Sequence, residues 1–244
     1  MTTKPRARLY VDAPFDSGGS VPLTKEQAHY LRNVMRFDLD EAVTLFNGRD
    51  GEWRGRVAEL GKKAGVVALD EQVRRQADEP DLWLLFAPIK KARLDYIVEK
   101  ATELGASVLW PVVTQRTQSG RVNLERMVAQ TVEAAEQCER LTLPEVRQCC
   151  SLEAALKDWP EERRLFLLDE SGQGKPIAEA LSPFQGQPAA FLIGPEGGFA
   201  PDELEFLRGH AAVTSLSLGS RILRAETAAV AALSCWQAMG GDWR

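Results

Sequence analysis

Leu192-Ile193-Gly194-Pro195-Glu196-Gly197-Gly198-Phe199 and Leu216-Ser217-Leu218-Gly219-Ser220-Arg221-Ile222-Leu223-Arg224-Ala225-Glu226-Thr227-Ala228 decide how this chain is read. Each follows a short apolar run that reads as a buried strand and precedes a helical stretch, so both loops are expected to open at one edge of one sheet. The glycines at 194, 197, 198 and 219 admit positive φ and carry no Cβ, so a flat ligand can lie directly against main-chain N–H and C=O groups. Neither G-x-G-x-x-G nor G-x-x-x-x-G-K-[ST] occurs, which turns the reading away from pyrophosphate and toward a phosphate-poor ligand such as S-adenosylmethionine. Taken alone, Gly194-Pro195-Glu196-Gly197-Gly198 is equally a tight turn. The second segment favours a ligand loop.

Outward from these loops the alternation continues. Leu82 to Ala87 is a continuous apolar run, then Leu94, Ile97, Val98, Ala101 and Leu104 recur at helical spacing with Gly105 as a C-terminal stop. Val108 to Val113 follows as a strand. Helices are predicted near Leu124–Cys138, Leu152–Lys157, Asp202–Arg208 and Ala225–Met239, and strands near Val146–Cys150, Leu165–Leu168, Ala189–Ile193 and Val213–Leu216. The pattern predicts an α/β domain with a mostly parallel sheet covered on both faces. The last helix has almost no polar face after Thr227 and must be buried. Ala200 leaves the helix from Pro201 without a side-chain cap, a loss of about 1 kcal/mol, which Asp202 and Glu203 partly offset through the helix dipole.

Residues 1 to about 72 read differently. Strand-like stretches at Arg8–Val11, Ala42–Phe46, Glu52–Val57 and Gly65–Leu69 are separated by turns at Asn47-Gly48 and Asp50-Gly51. Thr24-Lys25-Glu26-Gln27 is a capping box that opens a helix through Val34. His29, Arg32 and Arg36 stand three and four apart, which would put them on one helix face. The charged stretch ending at Pro80 makes the best linker. The expected organisation is 1–72 as a small β-domain, 73–80 as linker and 81–244 as the α/β domain.

Composition narrows the class. The chain has 244 residues, 44% of them hydrophobic, and a net charge of −5. It shows no apolar signal segment and no run long enough for a membrane span, so the cytoplasm is expected. Cys138, Cys149, Cys150 and Cys235 have no C-x-x-C spacing and His29 and His210 lie far apart, so no metal is expected. Residues 1–75 carry 13 Lys and Arg against 11 Asp and Glu, and the rest 17 against 24. Arg6, Arg8, Arg32, Arg36, Arg54, Arg56, Lys62 and Lys63 read either as a phosphate-binding patch or as a solvated mixed surface.

The two glycine-bearing segments, together with His29-Tyr30-Leu31-Arg32-Asn33-Val34-Met35-Arg36, Lys100-Ala101-Thr102-Glu103-Leu104-Gly105 and Ala134-Ala135-Glu136-Gln137-Cys138-Glu139-Arg140, resemble in order the RsmE family of SPOUT-class methyltransferases. Ala200 departs from that pattern, where Ser or Thr is usual. The resemblance implies S-adenosylmethionine-dependent methylation of uracil N3 in small-subunit (16S) ribosomal RNA, probed against two other readings. These are a ribose 2′-O-methyltransferase of tRNA or rRNA and a non-catalytic ribosome-assembly factor. It also implies a PUA-like N-terminal barrel, a deep C-terminal trefoil knot and a homodimer, within which the apolar last helix would be covered.

By the same resemblance, the loops after Leu168, Ile193 and Leu216 form the cofactor pocket. Its expected residues are Leu168, Leu192, Ile193, Gly194, Glu196, Gly197, Gly198, Leu216, Leu218, Gly219, Leu223 and Thr227. Uracil N3 is a poor nucleophile until its proton departs, so a cation near the developing O2/O4 charge assists. Arg221 and Arg224 are the candidates for that role, with a structural ion pair, Arg224 to Glu226 or Glu196, as the competing reading. Glu226 is the carboxylate carried as a catalytic candidate, although Glu196 and Glu226 read equally as loop anchors and no general base is assigned. Because N3 lies in the Watson–Crick edge, the base must be unpaired or flipped out. Arg6, Arg8, His29, Arg32, Arg36, Arg116 and Arg140 are the expected RNA contacts, each also readable as a surface residue.

Overall fold

The computed structural model describes residues 5–118 and 121–243 and divides the chain into two units. The first is the chain up to Asp78 joined by Ala135–Leu143, and the second is Glu79–Ala134 with the chain from Pro144 onward.

The first unit is a five-stranded sheet. Its strands are β1 (Arg8–Tyr10), β2 (Ser20–Leu23), β3 (Ala42–Phe46), β4 (Glu52–Leu60) and β5 (Gly65–Arg74), in the order β1-β3-β4-β5-β2. Only the β1–β3 pair is parallel. Alternate residues bury Leu9, Val21, Leu23, Val43, Leu45, Val57, Val67 and Leu69 in one core. β2 was not legible because Pro22 interrupts it; the structure tolerates this proline because β2 is an edge strand, hydrogen-bonded to β5 alone. β5 continues through Arg74, so the first residues of the expected linker are strand.

Thr24 caps α1 (Lys25–His29) as read, with Gln27 N–H donating to Thr24 Oγ1 at 3.2 Å and Thr24 N–H to Gln27 Oε1 at 2.9 Å. The helix then widens into a π-helical turn over Tyr30–Val34. Arg36 lies beyond it at φ 55°, in the left-handed region. The expected single face of His29, Arg32 and Arg36 is therefore corrected, since helical spacing ends before Arg36.

The second unit is a parallel sheet. Its strands are β6 (Leu82–Phe86), β7 (Val108–Val113), β8 (Glu145–Val146), β9 (Cys150–Ser151), β10 (Arg164–Leu168), β11 (Lys175–Pro176), β12 (Ala189–Ile193) and β13 (Val213–Ser217). Their order is β11-β13-β10-β12-β6-β7-β8, with β9 paired to β7. The strand expected over Val146–Cys150 is thus two short pieces that pair with different parts of β7. The helices are α2 (Lys91–Glu103), α3 (Leu124–Cys138), α4 (Leu152–Leu156), α5 (Ile177–Leu181), α6 (Pro201–Gly209) and α7 (Ala225–Met239).

Continuous apolar runs follow from burial on both sides. Leu82, Leu84 and Phe86 join one core with Phe191 and α7 residues Ala229, Ala232, Leu233 and Trp236, while Trp83 and Leu85 join the opposite core with Ala190, Leu192 and Leu207. Gly105 closes α2 at φ +77°.

Candidate functional site

β13, β10 and β12 are adjacent in the parallel sheet, so their carboxyl ends bring three loops together, the arrangement in which open α/β sheets bind ligands. Over them lies a cavity of about 510 Å³, within the range of small-molecule sites. Leu168, Ile193, Leu216, Leu218 and Leu223 supply an apolar wall, Asp169, Glu170 and Ser171 a polar one, and Arg221, Ile222 and Arg224 an exposed rim.

Two glycines let the loop after β12 pack closely against its neighbours. Gly198 sits at φ +67° and closes a turn through its N–H to Pro195 C=O at 2.9 Å, and a Cβ there would strike the Glu170 carboxylate. At Gly194 a Cβ would come within 2.9 Å of the Phe199 ring.

The walls are tied by charge. Burial opposes ionisation of Asp169, but hydrogen bonds from Ser171 and Arg208 outweigh it and hold the carboxyl below its usual range. Arg208 Nη2 approaches Asp169 Oδ2 at 2.6 Å, and Ser171 N–H donates to Oδ1 at 2.9 Å. Glu203 is buried at the start of α6. Its carboxylate accepts Ala200 N–H at 2.8 Å and Gln115 N–H at 2.7 Å. The Asp202 carboxylate accepts first-turn N–H groups, as the acidic first turn foreshadowed.

Arg93, on the first turn of α2, reaches Glu226 Oε1 at 3.5 Å and Glu196 Oε1 at 3.7 Å, bracing the two glycine-bearing segments against each other. Glu226 Oε2 is buried without a hydrogen-bond partner among the described residues. The competing reading of Arg224, an ion pair with Glu196 or Glu226, is not what forms; Arg93 faces one oxygen of each carboxylate instead. Arg221 and Arg224 are exposed, with no ion pair among the described residues.

Of the expected cofactor residues, Leu168, Ile193, Gly194, Glu196, Gly198, Leu216, Leu218, Gly219 and Leu223 line the cavity. Leu192, Gly197 and Thr227 do not. Leu192 points into the opposite core by strand alternation, and Gly197 offers its carbonyl to Arg116 Nη1 at 2.9 Å. Glu226 lies beside the cavity between Ala225 and Ala228, which line it. Sequence reasoning missed Arg93, for which no motif gave a signal. It also missed Asp169, Glu170 and Ser171, whose position directly after a predicted strand was the available clue.

Two expected RNA contacts are corrected. Arg8 is buried, with Nε 2.6 Å from Glu52, its guanidinium donating to Ala135 C=O and Arg140 C=O at 2.7 Å each and stacked 3.7 Å from the Phe46 ring centre. Arg140 is buried as well and donates to Thr142 Oγ1 at 3.1 Å. A buried guanidinium needs all its donors satisfied by protein, so neither is offered to a ligand. Arg6 is exposed but paired with Glu41 at 2.8 Å, while Arg32 and Arg36 are exposed. His29 Nδ1 stands 2.8 Å from Asn33 Nδ2. No cluster of His, Cys, Asp or Glu able to hold a metal ion and no helix long and apolar enough to cross a membrane is found among the described residues.

Residues 77–237 match the RNA methyltransferase domain family and residues 23–70 the RNA methyltransferase PUA domain family. The chain is 33% identical over 234 residues to the ribosomal RNA small subunit methyltransferase E of Rickettsia conorii, covering 96% of each chain. The chain belongs to the RsmE family of ribosomal RNA methyltransferases. Two solved structures extend the likeness. Lpg2936 from Legionella pneumophila, in complex with the bound cofactor SAM, is 31% identical with a TM-score of 0.88, covering 98% of this chain and 100% of that one. A ribosomal RNA small subunit methyltransferase E from Neisseria gonorrhoeae, bound to S-adenosyl methionine, is 27% identical with a TM-score of 0.88, covering 98% and 99%. RsmE membership makes the N-terminal unit PUA-type and the α/β unit the methyltransferase domain, as the sequence resemblance implied.

Proposed function

We propose that this chain transfers the methyl group of S-adenosylmethionine to N3 of a uridine in small-subunit (16S) ribosomal RNA, within or during assembly of the small ribosomal subunit in the cytoplasm. The observation that carries the reading is the cavity over β10, β12 and β13, apolar on one wall, open to main chain at Gly194, Gly198 and Gly219, and rimmed by two unpaired arginines. The residues fit a nucleoside sulfonium. The leucine wall suits a flat base, and the exposed carboxylate of Glu170 stands where hydroxyls or a cation would be received. When bound, the cofactor supplies an electrophilic methyl group.

The chain's own contribution is position and charge. A uracil lying in line with the S–CH₃ bond loses its N3 proton as the N–C bond forms, and negative charge gathers on O2 and O4. Arg221 and Arg224 are placed to stabilise that charge, and donors aimed at such sites are worth about 10²–10³ in rate. Glu226 keeps one oxygen on Arg93 and one free, which suits it to receive an N–H or the departing proton.

Arg6, Arg32, Arg36 and Arg116 supply the exposed cations for flanking RNA, and residues 1–72 act as the RNA-binding PUA-like unit. The partly covered side of α7, with Val230, Ala231, Ser234 and Cys235 half-buried, suits a second copy in a homodimer, and a C-terminal trefoil knot belongs to the same reading. The deciding experiment is nucleoside mass spectrometry of small-subunit ribosomal RNA from cells lacking this protein. Loss of 3-methyluridine is expected, and an unchanged level overturns the proposal.

A further inference from the structure

A second cavity of about 380 Å³ lies in the same unit, walled by the loop after β6, the start of α2, the loop after β7 and the start of α3. Sheet order places it. β12 is followed by β6 and then β7, so the cofactor cavity stands over β13, β10 and β12 and this cleft over the next strands along the same carboxyl edge. Glu196 lines both cavities, so they share a wall.

The second cleft is cationic. Lys90, Lys91, Arg121 and Arg126 line it, against Asp95 and Glu196. Both carboxylates already face an arginine, Asp95 within the cleft and Glu196 beside it. Asp95 is held by Arg126 at 2.6 Å, and Glu196 faces Arg93. Lys90, Lys91 and Arg121 remain exposed, with no ion-pair partner among the described residues.

Their placement on α2 is also electrostatically inverted. The N-terminus of a helix favours acidic side chains, yet here the first turn has none, Lys90 is the N-cap residue with no side-chain cap, and Lys91 and Arg93 follow. Cations gathered at a positive helix end repel one another unless an anion joins them. A cleft that combines three unpaired cations with an uncapped helix start, sharing a wall with the cofactor cavity, suits a polyanion strand better than a single small ion.

We propose that the cleft ringed by Lys90, Lys91 and Arg121 binds the phosphodiester backbone of single-stranded RNA next to the nucleotide that enters the cofactor cavity. The inference rests on the methyltransferase reading for its direction, but it is tested without methyl transfer. Affinity of the full chain for polyuridylate is measured between 50 and 200 mM salt, for the wild type, for the triple variant Lys90→Gln, Lys91→Gln, Arg121→Gln, and for Lys157→Gln, an exposed cation just after α4 as a single-charge control.

Each phosphate contact on single strands adds about 0.7 to the slope of log affinity against log salt, so the triple variant is expected to lose about 2 in slope. The wild type would then lose about 16-fold more affinity than the variant across that salt range. Calorimetric affinity for S-adenosylmethionine should be unchanged. A triple variant that binds the cofactor and keeps the wild-type slope overturns the proposal, as does a Lys157→Gln slope that falls by about 0.7, a third of the triple variant's loss. If the triple variant loses cofactor binding through misfolding, Lys91→Gln and Arg121→Gln are measured singly, and slopes unchanged in both overturn it. Missing salt dependence would leave the methylation reading intact, whereas unchanged 3-methyluridine in cells would leave the cleft standing as an RNA site.

Discussion

Arg8 of the N-terminal unit and the two arginines at the rim of the sheet-edge cavity carry the same charge and do opposite work. Arg8 is buried at 8% side-chain exposure against Glu52 and two carbonyls, so its five N–H donors hold β1 to β4 and to Ala135–Leu143. Arg221 and Arg224 stand exposed on a glycine-bearing loop with no carboxylate taken. Desolvation decides the difference: a guanidinium buried in protein costs too much unless every donor is satisfied, and one left at a cavity rim keeps its donors for a ligand.

The sharpest way to break this contrast is Arg8→Met. Removing one member of a buried pair leaves Glu52 with only Arg74 at 3.4 Å, and a loss of about 3 kcal/mol in unfolding free energy is expected by urea titration. A stable variant with weakened RNA binding would instead return Arg8 to the RNA surface. At the cavity, Arg224→Gln is expected to lower the methylation rate about 10²-fold, close to 2.7 kcal/mol, with little change in stability or cofactor affinity. Equal losses in rate and in melting temperature would make Arg224 structural after all.

A smaller effect tests a cation spent on structure within the ligand-binding unit. Asp169 has a folded pKa below its unfolded value, so the stability it contributes is present above the unfolded value and disappears as pH falls through the folded one. Urea midpoints followed downward from about pH 6 should fall more steeply for the wild type than for Asp169→Asn, with about 1–2 kcal/mol at stake. Parallel curves would show that Arg208 does not hold the loop through this carboxylate. Least of all, Ala200→Ser offers a hydroxyl to the first-turn N–H groups of α6, and a gain of about 0.5 kcal/mol is expected because the Asp202 carboxylate already accepts from Asp202 and Glu203 N–H. A gain of about 1 kcal/mol or more would mean that Asp202 is a weaker substitute than a side-chain cap.

Much of the second unit was legible in the sequence. The ranges of α3, α7 and β12 follow from long periodic or continuous apolar patterns, and the order of glycine loops predicted which strand ends converge. The short elements escaped: β11 and α5 are too brief to show a period, and the single strand read over Val146–Cys150 breaks into two. In the first unit the helical reading failed at Arg36, because nothing in the local pattern signals a π-turn. The side chain of Leu192 faces the opposite core for a simpler reason, since motif membership does not say which of two faces a strand residue takes.

Sequence alone determined the sheet and the glycine-bearing loops at its edge, because apolar periodicity and the absence of Cβ atoms are properties of residues in order, and its motifs carried the family resemblance. Tertiary structure alone decided the use of each charge: that Arg93 braces Glu196 and Glu226, that Arg8 and Arg140 are interior, and that Lys90, Lys91 and Arg121 remain unpaired. The reason is that a charge acts through the partners and solvent around it, and those are set by segments far apart in the chain.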